Sequence, residues 1–104
     1  MNIYIRRRIM ENQMAEAFRA LSDPNRLLIM KLLLEGESCG CTLINSLPIS
    51  QPTLSYHLRM LSASGLVTSR KEGTWNKHFV NKEKIKETIK YLEELLETKK
   101  TCKL

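Results

Sequence analysis

The residues best suited to chemistry fall in two neighbouring stretches, Cys39-Gly40-Cys41 and Ser50-Gln51-Pro52-Thr53-Leu54-Ser55-Tyr56-His57-Leu58-Arg59. Two thiols separated by one glycine can close on a single soft, thiophilic ion, with Gly40 letting the backbone bend and a helix amino end favouring the thiolate form. Cysteine is also commonly a small buried hydrophobe, and Cys-x-Cys is a less specific signal than paired Cys-x-x-Cys motifs. The third cysteine, Cys102, makes the number odd, and a Cys-x-Cys disulfide would close almost no loop. Free thiols with ligand or redox chemistry in a reducing compartment are the expectation.

In the second stretch Ser50 can cap a helix that tolerates Pro52 in its first turn, and Leu54, Leu58 and Leu61 form one apolar stripe ending at Gly65. Gln51, Thr53, Ser55, Tyr56 and Arg59 then point to other faces. Glutamine suits adenine bidentately, hydroxyls serve bases or phosphates, and the first turns of a recognition helix are where bases are met. With Ser50 these residues make a candidate DNA-contacting set, the alternative being a merely solvated face. His57 is counted in that set, although it shares the leucine face and reads as a partly buried, hydrogen-bonded structural histidine.

These stretches need positioning, and the periodicity of the chain supplies the elements. Met10, Met14, Ala17, Phe18 and Leu21 lie on one face of a first helix. Residues 1–9 show no clear period: they extend that helix, fray, or precede a true start at Met10. Ser22-Asp23-Pro24 opens a second helix, apolar on nearly all sides and so expected at the centre of the core, with Gly36 placed to stop it in the left-handed conformation. A short third helix spans Cys39 to Leu47 before Pro48. With the Ser50 helix after so brief a turn, it forms a helix-turn-helix.

After Gly65 the period changes to that of strands. Leu66–Arg70 and Trp75–Asn81 read as a hairpin turning at Gly73, with Trp75 expected to pack. Arg70, Lys71 and Lys77 bracket its turn as candidate phosphate or minor-groove contacts. His78 lacks partners at metal-ligand spacing. Lys82 to Lys99 carries Ile85, Ile89, Leu92 and Leu96 at intervals of four, three and four, a seam about 27 Å long. The fold class that follows is mainly α with a β-hairpin: one winged helix-turn-helix domain over residues 1–104, ordered α1-α2-α3-α4-β1-β2-α5, with flexible ends at 1–9 and 100–104.

A chain of 104 residues with a formal charge of +6 and a pI near 9.4 suits a polyanionic partner. At this size roughly 65% of the unfolded surface is buried, so a dimer would help the modest core. No window approaches the roughly 18–20 apolar residues of a bilayer span, and the basic opening is not followed by an apolar signal core. The expectation is a cytoplasmic protein without a membrane partner.

Three motifs, SDPNRLLIMKLL, Cys39-Gly40-Cys41 after Glu37, and SQPTLSYHLRMLSASGLV followed by RKEGTWNKHFV, closely resemble the ArsR/SmtB family of winged-helix metalloregulatory repressors over about residues 10–97. The resemblance implies a homodimer joined through α1 and α5. It also implies binding to a double-stranded operator of inverted-repeat type without any cofactor, and release from a resistance operon when metal binds. In the arsenic-sensing branch a Cys-x-Cys pair at this position takes arsenite or antimonite, which assigns Cys39 and Cys41 as ligands.

Two departures bear on that assignment. Some arsenic sensors carry a third cysteine where this chain has Ile44, so the third partner would be Cys102, a small-molecule thiol or a water-derived ligand. Amino-terminal cysteines, as in cadmium and lead sensors, and histidines in the last helix, as in zinc sensors, are absent from this sequence. The alternatives are a thiol-based redox-sensing repressor of the same fold or a DNA-binding protein without a ligand. An enzyme is disfavoured: a phosphatase-like Cys-x5-Arg loop would need arginine six residues after Cys39, where Asn45 stands.

Overall fold

The computed structural model describes residues 3–36 and 39–97. Five helices and one hairpin follow in the order α1 (Ile3–Leu21), α2 (Pro24–Leu34), α3 (Gly40–Asn45), α4 (Gln51–Ala63), β1 (Val67–Glu72), β2 (Trp75–Val80) and α5 (Lys82–Leu96). The winged helix-turn-helix class and element order agree with the sequence reading. The ends differ. α1 begins at Ile3, so the described part of segment 1–9 extends the helix, and α3 stops at Asn45, two residues before Leu47. The tail 100–104 lies outside the described residues.

Local chemistry explains where the helices start. Asp23 adopts an extended backbone and accepts from the amides of Asn25 and Arg26 at 2.8 and 3.3 Å, while Pro24 occupies a position that needs no amide hydrogen. Ser50 caps α4 in the same way, its Oγ accepting from the amide of Thr53 at 3.3 Å. Asn81, expected as the last residue of the second strand, lies beyond β2 and caps α5 through Lys84, and it also donates from Nδ2 to the Gly65 carbonyl at 3.0 Å. It therefore ties the end of α4 to the start of α5. At the close of α2, Gly36 takes φ +105°, the left-handed conformation expected of it.

The core gathers Ala17 and Ala20 from α1, Ile29, Met30 and Leu33 from α2, Leu43 and Leu47 around α3, Leu54, Leu58 and Leu61 from α4, and Leu66 and Val67 at the wing's root. α2 does not sit wholly inside it, contrary to the sequence reading. Leu27, Leu28 and Leu34 are 48%, 39% and 61% exposed, because α1, α4 and the hairpin cover only one side of that helix. α1 and α5 run together where Phe18 meets Tyr91, with ring centroids 6.2 Å apart, and the Tyr91 hydroxyl donates to Glu11 at 3.1 Å. Outside that contact both helices leave apolar side chains open: Ile5, Ile9 and Met10 on α1, and Ile89, Leu92, Leu95 and Leu96 on α5.

The hairpin pairs antiparallel from Val67 with Val80 to Glu72 with Trp75, turning through Gly73 at φ +63°. Alternation along the strands puts Val67, Ser69, Lys71, Asn76, His78 and Val80 on one side. Thr68, Arg70, Glu72, Trp75, Lys77 and Phe79 take the other. Val67 is buried and Val80 packs against the core, so the first of these sides faces the helices. Trp75 is on the outer side near the tip and remains 56% exposed, not packed as expected.

Candidate nucleic-acid interface and thiol pair

α4 buries Leu54, His57, Leu58 and Leu61 and exposes Gln51, Pro52, Ser55, Tyr56, Arg59, Ser62 and Ala63. Among the candidate contacts, Gln51, Ser55, Tyr56 and Arg59 are therefore available together on open helix surface. Ser50 and Thr53 are partly committed to each other, since the Ser50 hydroxyl donates to Thr53 Oγ1 at 2.9 Å. His57 is a correction to the DNA-contacting set. Only 6% of it is exposed, and its Nδ1 lies 3.1 Å from Nη1 of Arg26.

Arginine can only donate, so His57 Nδ1 accepts and the ring proton sits on Nε2. Arg26 is itself buried and donates from Nε to the Ala20 carbonyl at 2.6 Å. One guanidinium thus joins the end of α1, the start of α2 and the interior of α4, holding the reading helix to the frame. Arg26 stands in SDPNRLLIMKLL at the head of the apolar run of α2, with no role expected of it. Its place after a helix cap, followed by apolar residues, was the available signal that it would be drawn inward.

The three wing cations separate. Arg70 and Lys77 lie opposite each other on the outer side and share Glu72, at 3.6 and 3.0 Å. The hydrogen bond from Lys77, together with its charge, holds the Glu72 carboxyl below the usual carboxylate range. Arg70 also covers the Phe79 ring at 4.6 Å. Lys71 is on the helix-facing side, exposed near the tip, and forms no ion pair among the described residues. A phosphate approaching Arg70 or Lys77 must therefore compete with a carboxylate, whereas one approaching Lys71 need not.

Cys39 is the residue before α3, and its Sγ lies 2.8 Å from that of Cys41. Cys41 is exposed and Cys39 half-buried. The Cys41 thiol donating to Cys39, helped by the backbone amides at the start of α3 and by the Lys77 charge, lowers the Cys39 thiol below its ordinary value; the same hydrogen bond raises Cys41. The pair therefore presents two unequal sulfurs, Cys39 being the more easily ionised. Among the described residues no group of three His, Cys, Asp or Glu side chains could hold a metal ion, and Cys102 lies outside them. The Cys39 backbone also forms an antiparallel bridge with Lys77, so the thiol segment is attached to β2 as well as packed on α4.

A capped helix with an open polar face, set behind a short helix and beside a two-stranded wing, defines a winged helix-turn-helix DNA-binding regulator. The profile of the family described as "Bacterial regulatory protein, arsR family" matches residues 23–69. An uncharacterized HTH-type transcriptional regulator of Methanocaldococcus jannaschii is 49% identical over 78% of this chain and 92% of its own length. An arsenical resistance operon repressor of Staphylococcus xylosus is 47% identical over 64% of this chain, which spans 62% of that protein. A solved homodimeric winged helix-turn-helix DNA-binding domain from Mycobacterium bovis superposes with a TM-score of 0.73 at 27% identity, covering 88% of this chain and 83% of the other. The chain belongs to the ArsR family of DNA-binding transcriptional repressors, whose members are not enzymes. No helix among the described residues is long and apolar enough to cross a membrane.

Proposed function

We infer that this chain works as a homodimer that holds an inverted-repeat operator of a metalloid-resistance operon and releases it when Cys39 and Cys41 capture arsenite or antimonite. The observation that carries the reading is the pair of accessible sulfurs 2.8 Å apart at the start of α3. Two thiols this close, one of them acidified, suit a soft centre that exchanges hydroxide for thiolate. The third position would fall to Cys102, a small-molecule thiol or a water-derived ligand. The Staphylococcus xylosus relative, an arsenical resistance operon repressor by name, supports the same choice of inducer.

The release mechanism follows from what the thiol segment touches. α3 packs on α4, and Cys39 is bridged to β2, so drawing both sulfurs onto one centre displaces the foot of the recognition helix and the wing together. Ligand and DNA then favour different arrangements, and a typical coupling between two such sites changes operator affinity by about 5- to 150-fold. The dimer is supported by the open apolar faces of α1 and α5 and by the homodimeric Mycobacterium bovis domain. In it Gln51, Ser55 and Tyr56 of each copy enter the major groove with Arg59 at its edge toward the backbone, Ser50 and Thr53 reach phosphates at the helix start, and Arg70, Lys71 and Lys77 flank the adjoining minor groove.

The test is operator release in a fluorescence titration with arsenite, antimonite, cadmium and zinc. Operator DNA for it is obtained by selection from random duplexes. Wild type should release with the first two, the Cys39→Ser, Cys41→Ser double variant should bind DNA normally and not release, and Cys102→Ser reports whether the third thiol takes part. Undiminished release from the double variant refutes the thiol assignment. Release by peroxide but not by arsenite under reducing conditions would make the pair a redox sensor instead.

A further inference from the structure

Between α4 and the wing lies a cleft of about 450 Å³, with Gly40 at its foot. Its helix wall carries Gln51, Ser55 and Arg59, and its strand wall carries Ser69, Asn76 and His78. Among the described residues no carboxylate lines it. Arg59 is exposed and forms no ion pair among the described residues, in contrast to Arg70 and Lys77, which Glu72 occupies. The cleft is therefore rich in donors, holds one uncommitted cation, and opens beside the face that reads DNA.

The geometry points to this cleft as the seat of the sugar-phosphate strand that divides the two grooves, with Ser69, Asn76 and His78 as backbone-clamping residues alongside Arg59. The inference rests on the DNA-binding reading above and deepens it. A recognition helix lies in the major groove and a wing beside it enters the neighbouring minor groove. Those two grooves are separated by one backbone strand, which must cross the space between helix and hairpin. Besides Leu54 and Leu58, the walls of that space here carry side chains with hydrogens to donate.

The chemistry favours a diester over a free phosphate. Each backbone phosphate carries a single negative charge, which Arg59 alone can match, with neutral donors serving the remaining oxygen lone pairs. His78 Nδ1 lies 2.7 Å from Ser69 Oγ, and burial lowers the pKa of the ring, which favours its neutral form. With Ser69 donating to Nδ1, the proton resides on Nε2 and is free for a phosphate oxygen. Ser69 would thus act as a positioning residue that fixes the tautomer, while Asn76, one strand position from the tip-side Trp75, offers its amide hydrogens directly.

The experiment uses the selected operator duplex and a random-sequence duplex, each labelled with fluorescein, and a second operator set in which single phosphates are replaced in turn by neutral methylphosphonates. Asn76→Ala, at an exposed position, and His78→Phe, which keeps a ring of similar bulk, should each weaken binding about threefold to tenfold. The loss should be equal on both duplexes, because phosphate contacts carry no sequence information. Among the methylphosphonate positions that weaken wild type, one per half-site should cost the variants nothing more. Unchanged affinity in both variants, or a loss confined to the operator sequence, overturns the clamp while leaving the repressor reading intact. Failure of wild type to bind any duplex overturns that reading, and the clamp with it.

Discussion

Two polar pairs, built from similar ingredients, have opposite fates in this molecule. Arg26 and His57 stand 31 residues apart in sequence, meet in the interior and join three helices. Cys39 and Cys41 are two residues apart, meet at the surface and join nothing beyond their own turn except through the backbone. The first pair has its donors and acceptors answered by the protein, which makes it part of the frame. The second has its sulfurs open to solvent and hydrogen-bonded to each other, which makes it available to a ligand. A titratable group is a candidate for chemistry when the fold leaves its valence unspent, whatever its residue type.

The largest test of this contrast is to remove one side chain from each pair. Arg26→Ala strands the Ala20 carbonyl and His57 Nδ1 without a donor in the interior, at a cost of about 2–4 kcal/mol. For a domain of this size that lowers the melting midpoint by about 10–25 °C. Cys39→Ser and Cys41→Ser should leave the midpoint unchanged in the same calorimetric scan. Equal losses from the two pairs would show that the thiol turn is also part of the frame.

The same contrast separates what was legible in the sequence from what was not. Helix starts at Asp23 and Ser50, the leucine stripe of α4 and the stop at Gly36 are local, decided by residues within one turn, and each stands where its spacing indicates. His57 was counted as a DNA contact because sequence shows its neighbours on α4 but not the guanidinium arriving from α2. α2 looked buried all round since its composition does not reveal that the helices and hairpin cover only one side. The wing cations looked alike until strand register set Arg70 and Lys77 against Glu72 and left Lys71 apart. Pairing over distance, not residue type, was the missing information in each case.

The next effect in size concerns the cap that aims Arg26. Burial alone would raise the Asp23 carboxyl, but the amides of Arg26 and Asn25 outweigh it and hold it below its ordinary value of 3.8. A depressed carboxylate stabilises the fold fully above its unfolded value, and that contribution is lost as pH falls through the lower folded value. Asp23→Ala should cost about 1 kcal/mol at pH 7. The gap between variant and wild type should close as pH falls below the ordinary value of 3.8, measured by urea unfolding across pH. A gap that widened in acid would contradict the cap's charged state.

On the surface pair the expected effect is smaller and kinetic. Because the Cys41 thiol hydrogen stabilises a Cys39 thiolate, iodoacetamide at pH 7 should label Cys39 before Cys41. Cys41→Ala removes that hydrogen, raises the Cys39 thiol and should slow its alkylation about threefold, followed by peptide mass spectrometry. Faster labelling of Cys39 in that variant would mean that Cys41 shields its neighbour more than it acidifies it.

The smallest effect lies where frame and site overlap, at Glu72. Its carboxylate holds Arg70 and Lys77 on the outer face of the wing, in exposed pairs of the kind that contribute little to stability. Glu72→Gln should leave the fold intact, release both cations toward phosphate and tighten binding to a random-sequence duplex about twofold to threefold at low salt. The gain should shrink as salt rises, since added ions screen freed cations more than paired ones. Lys77 also lends its charge to Cys39, so removing the opposing Glu72 charge should speed Cys39 alkylation slightly. If DNA affinity falls instead, the carboxylate orients the two cations for DNA and does not restrain them, and the wing belongs with Arg26 and His57 as a built frame.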